Sequence, residues 1–92
     1  MQQLTAEAQK EFEDLQTKVV EISFLDGEIQ KEIEGLRTRI TNLWDQGLSN
    51  PGIHDYIVQL SKRIENLRNL QETNRKLRDQ WMVKAAKILS PK

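Results

Sequence analysis

Apolar residues in the first half of the chain recur at steps of three and four: Phe12, Leu15, Val19, Ile22, Ile29, Ile33, Leu36, Ile40 and Leu43. Lettered as heptads, Phe12, Val19, Ile33 and Ile40 take position a, and Leu15, Ile22, Ile29, Leu36 and Leu43 take d. An apolar repeat of about 3.5 residues, sustained this long, is the seam of a coiled coil, in which each seam side chain inserts among four of a facing helix. One a position is polar: Asp26, followed by Gly27. A hinge, a break into two shorter helices and a continuous helix with one polar layer all fit that pair. Thr5 suits an N-cap with Glu7 in the first turn, and Gly47 suits a helix stop.

The second half repeats the pattern. Ile57, Leu60, Ile64, Leu67, Leu70, Leu77, Trp81, Ala85 and Ile88 make its seam, with Asn74 on the same line. Leu67 to Leu70 is a step of three where a heptad would take four, which reads as a stammer that locally overwinds the helix. Asn50 suits an N-cap with Pro51 at the first helical position, where a missing N–H costs nothing, and Ser90-Pro91 ends the pattern. The pattern thus predicts helices over about 5–46 and 51–89 joined by a turn at 47–50. So short a connection folds the second helix back antiparallel. The expected fold is all-α: a single domain over 1–92, built as a long antiparallel two-helix coiled-coil hairpin about 60 Å long at ~1.5 Å per residue.

Pairing the halves about that turn tests the reading from within. If facing residue numbers sum to about 100, Leu43 meets Ile57, Ile40 meets Leu60, Leu36 meets Ile64 and Ile33 meets Leu67. Farther out, Val19 meets Trp81, Leu15 meets Ala85 and Phe12 meets Ile88. The two polar exceptions also coincide, Asp26 opposite Asn74, forming one polar core layer. Such layers fix register and partner number at a cost in stability. Replacing Asp26 with Leu is therefore expected to raise stability and loosen the specificity of assembly.

Charge supports the same pairing. The 14 basic and 14 acidic residues cancel, but residues 1–34 hold nine acids against three bases and residues 35–92 eleven bases against five acids. An antiparallel hairpin sets the acidic helix beside the basic one and disfavours parallel self-pairing. With no cysteine, disulfides, thiolate metal sites and a Cys nucleophile are excluded. No apolar run of membrane-spanning length and no basic-then-apolar leader occurs, so a cytoplasmic location and no stable membrane insertion are expected.

Candidate chemistry is sparse. His54, the only histidine, stands beside Asp55 in the first turn of the second helix without a second histidine or a carboxylate cluster, which suits a solvated residue. No phosphate loop, nucleophile elbow or zinc spacing is present. The expectation is a non-enzymatic chain without catalytic, cofactor-binding or metal residues. Basic residues of the second helix lie beside an equal acidic load, so nucleic acid is not an expected partner.

Val20, Phe24, Leu25, Trp44, Val58, Met82, Val83 and Leu89 fall off the seam, and of these Val20, Phe24, Leu25, Trp44, Met82 and Val83 form the candidate partner surface. Left uncovered by a lone hairpin, they point to protein partners and to self-association as a dimer or four-helix bundle. The leading functional expectation is a scaffold or assembly subunit of a larger complex. Two alternatives stand beside it: a small export-type chaperone for an amphipathic client helix, and a hairpin effector of a small GTPase using Val20, Phe24 and Leu25. In architecture the chain resembles the Rho-effector finger hairpins through Glu28-Ile29-Gln30-Lys31-Glu32-Ile33 and Leu60…Arg63-Ile64…Leu67, without the Lys-Ile-x-x-Gly-like segment of their first helix. Leu67-Arg68-Asn69-Leu70-Gln71-Glu72-Thr73-Asn74 is similar to the Asn-containing C-terminal helix of flagellar export chaperones. Each likeness covers under half of the chain.

Overall fold

The computed structural model describes residues 4–46 and 50–90, and over them the chain is two helices paired as an antiparallel hairpin. Helix α1 runs from Ala6 to Asp45 over 40 residues and helix α2 from Pro51 to Leu89 over 39. The expected turn residues Gly47, Leu48 and Ser49, and the stop at Pro91, lie outside the described residues.

Local chemistry sets the helix starts. The Thr5 hydroxyl accepts from the Ala8 amide at 3.0 Å, and the Asn50 carboxamide oxygen accepts from the Gly52 amide at 2.9 Å. Each cap satisfies an amide for which the first helical turn has no carbonyl. Pro51 occupies the first position of α2, where no amide is needed. Asp26-Gly27 does not interrupt α1, which passes through both residues as one helix. Of the three arrangements open at this pair, the continuous helix is the one adopted.

Packing divides the chain into two units, a central one of Gly27–Glu72 and a terminal one of Met1–Asp26 with Thr73–Lys92. In the central unit Ile33, Ile64 and Leu67 form the core, with Ile29, Leu36 and Ile40 packed against it. Ile33 is only 1% exposed. Two facing pairs of the expected register, Ile33 with Leu67 and Leu36 with Ile64, fall within this cluster. Along one edge of the seam Arg63 donates to Glu32 Oε2 from Nε at 2.9 Å, with Nη2 at 2.8 Å from the same oxygen, and Arg39 donates to the Tyr56 hydroxyl at 3.1 Å. Both contacts sit at the surface, where an ion pair such as Arg63–Glu32 is worth about 0.2–1 kcal/mol. They select register more than they hold the fold.

In the terminal unit Leu15 and Ile22 are buried, while Phe12, Val19, Trp81, Ala85 and Ile88 are half-buried. The expected polar layer forms here: Asn74 Nδ2 donates to Asp26 Oδ1 at 3.0 Å.

One seam assignment is corrected. Leu70 and Leu77 are 46% and 36% exposed, whereas Gln71 and Arg78 are partly buried in their stead. The line of buried and half-buried residues in α2 is therefore Ile53, Ile57, Leu60, Ile64, Leu67, Gln71, Asn74, Arg78, Trp81, Ala85 and Ile88. Its steps alternate three and four throughout, and α2 has no stammer. α1 keeps the same alternation without a break, and an overwound segment in α2 alone would carry its remaining residues out of step with their partners. Regular packing over the whole helix outweighs the gain from turning two leucines inward.

Candidate partner-binding groove

The two edges of the seam in the terminal unit differ sharply. In an antiparallel pair, the e and b positions of both helices flank the seam on one side and the g and c positions flank it on the other. The g and c side carries Glu11, Asp14, Lys18 and Glu21 from α1 and Lys84 and Lys87 from α2. Here the Lys18 ammonium lies 5.8 Å from the centroid of the Trp81 ring, a cation–π contact that covers the indole.

The e and b side is different in kind. An open groove of about 410 Å³ runs along it, floored by the seam residues Phe12, Leu15, Val19 and Ala85 and walled by Gln16, Val20, Met82, Ala86 and Leu89. No charged side chain lines it. Val20, Met82 and Leu89 are 69%, 53% and 55% exposed. Depletion of charge around accessible apolar side chains is what separates the centre of an interface from ordinary surface.

The structure brings together only part of the surface expected from sequence. Val20 and Met82 face each other across the groove. Leu25 lies on the charged edge, beside Lys18, Glu21, Ile22 and Trp81. Phe24, at an outward f position, is exposed, as is Val83, which shares a shallow depression with Lys84 and Lys87. Trp44 is exposed in the central unit. Val20, Phe24 and Leu25, all within six residues of α1, thus point to three sides of the helix and make no single patch. Leu89, one of the off-seam apolar residues, also belongs to the groove, as do Gln16 and Ala86, which were not expected there. Their signal in the sequence was the heptad letter: each is e or b in a stretch where those letters carry little charge.

The polar layer has its partners. Among the described residues no buried side-chain nitrogen or oxygen lacks a hydrogen bond. No group of three or more His, Cys, Asp and Glu side chains is placed to hold a metal ion among them. No described helix is long and apolar enough to cross a membrane. Comparison with protein-family models, with curated proteins and with solved structures gives no match to this chain.

Proposed function

We propose that the chain is a non-enzymatic coiled-coil module that binds protein, working in the cytoplasm as a scaffold or assembly subunit of a larger complex. The observation that carries this reading is the uncharged groove of the terminal unit, with Val20, Met82 and Leu89 accessible along it. Two helices have convex outer surfaces, on which a water-excluding pocket is hard to build, but such a groove accepts the ridge of another helix. A photoreactive residue at Val20, introduced into the full chain in the organism of origin, should cross-link to a discrete protein. That protein, purified, should bind the wild-type chain and lose binding to Val20→Glu. Absence of any specific cross-link, together with a chain that stays monomeric, would sink the reading.

The same groove supports a second reading, a chaperone that covers the apolar face of a client helix. Its distinguishing result is a gain of helical circular dichroism, beyond the sum of the parts, on mixing the chain with an unfolded client.

A further inference from the structure

We propose that the middle of the hairpin has a second, less populated packing, in which both helices turn to bring Leu25, Leu70 and Leu77 into the seam in place of Asp26, Gln71 and Arg78. It is a property of the two helices alone and stands whether or not a partner binds.

The g positions change character in this stretch. Lys18 and Glu32 stand on either side of Leu25 along the g line of α1, and Arg63 and Lys84 on either side of Leu70 and Leu77 along that of α2. The three leucines are 54%, 46% and 36% exposed. The a positions change in the opposite sense: Asp26, Gln71 and Arg78 are polar and half-buried, whereas every other a position of either helix is apolar. Turning a helix by about 50° moves its seam from a and d to d and g. Here, and nowhere else along the hairpin, that turn exchanges polar side chains for leucines.

A turn confined to α2 would carry its outer part out of step with α1, but the spacing lets both helices turn and return. In α1 the turned path runs Val19, Ile22, Leu25, Ile29 and Ile33, two steps of three followed by two of four. In α2 it leaves Ile64 through Leu67 and Leu70, again two steps of three, and closes through Leu77, Trp81 and Ala85, again two of four. Each path overwinds its helix on entry and unwinds it on exit, so the flanking residues keep their observed seam. The expected register sets Ile22 opposite Arg78 and Ile29 opposite Gln71, which places the two excursions at one level of the hairpin. There is also space on the side toward which Leu25 would turn. A depression of about 130 Å³ lies there, lined by Ile22, Leu25 and Trp81 with Lys18 and Glu21. The hydrogen bond from Asn74 to Asp26 is the latch that keeps the observed seam dominant. Asn74 is a d residue and belongs to both seams, so turning Asp26 out to water leaves its buried amide unmatched.

Methyl relaxation dispersion on the full chain, which senses exchange on the microsecond-to-millisecond scale, tests this. Leu25, Leu70 and Leu77 should share one exchange process, while Ile33 and Ile64, in the tight core, stay flat. Asn74→Leu removes the latch and strands the Asp26 carboxylate on the observed seam, so it should raise the turned population by about tenfold or more. In that variant a soluble paramagnetic agent should relax the three leucine methyls less than in the wild type, because they have moved inward. Gln71→Leu combined with Arg78→Leu favours the observed seam and should abolish the exchange, including when added to Asn74→Leu.

Flat dispersion at all three leucines in both the wild type and Asn74→Leu overturns the inference. So does exchange that Gln71→Leu with Arg78→Leu leaves unchanged, or that Ile33 and Ile64 share, since either is a general opening of the hairpin. Leucine methyls that become more accessible to the paramagnetic agent in Asn74→Leu overturn it as well, because the helices would then be parting and not turning.

Discussion

At Asp26 the hydrogen bond from Asn74 reverses an expectation drawn from the heptad alone. A carboxylate on a seam is costly, so Leu in its place looks stabilising. Asn74, however, is only 9% exposed, and its amide donates to Asp26 at 3.0 Å. Asp26→Leu strands that amide, and an unsatisfied buried donor costs about 1–3 kcal/mol. The single variant should therefore melt below the wild type in thermal unfolding followed by circular dichroism. The pair Asp26→Leu with Asn74→Leu should melt above it, by about 1–3 kcal/mol, since an apolar pair of similar shape replaces the layer without leaving an unmatched group. If the single variant alone exceeds the wild type, the hydrogen bond is not holding the layer.

The next residue offers a separate measurement. An added Cβ at Gly27 would meet nothing within 4 Å, and the residue lies inside a continuous helix. Gly27→Ala should stabilise the chain by about 0.5–1 kcal/mol, the ordinary difference in a helix interior. A loss of stability would mean that the position serves as a hinge in solution.

At the scale of the element, the seam of α2 shows where reading by composition goes astray. Leu70 and Leu77 are the apolar residues nearest the expected line, and choosing them requires a stammer. The helix instead keeps its alternation and accepts Gln71 and Arg78. Gln71 is accommodated because its amide donates to Gln30 Oε1 at 3.0 Å at the edge of the seam. Long side chains such as those of Gln71 and Arg78 can lay their methylenes on the seam while their polar ends reach water. Leu70→Gln should accordingly change stability by no more than about 0.5 kcal/mol. Gln71→Leu, which restores an apolar layer opposite Ile29, should add about 1 kcal/mol. Urea unfolding of both variants separates the two seams: a stammered helix would give the opposite order. Both helix starts were legible beforehand, because a cap is a contact within three residues and needs no tertiary partner.

Over the whole molecule, burial is uneven, and stability should follow it. The amides near Ile33, Ile64 and Leu67, where the core is tightest, should exchange hydrogen most slowly. Those of α1 before Val19 and of α2 after Trp81 should exchange faster, because local opening exposes little buried apolar surface there. Exchange that is uniform along both helices would show that the two units unfold as one.

Two helices, their antiparallel pairing and the facing of Asp26 and Asn74 were all determined by the sequence itself. Each follows from a period, a cap or a charge balance that survives without knowledge of the neighbours. Which side chains occupy the seam at Gln71 and Arg78, and which off-seam residues share a surface, was decided only by the tertiary structure. Seam membership depends on keeping step with a partner over the full length of a helix, a constraint that outweighs local hydrophobicity. The groove is likewise a property of two helices at once. Gln16, Val20, Met82, Ala86 and Leu89 are distant along the chain and unremarkable on either helix alone, and become one uncharged surface only when the antiparallel register lays them side by side.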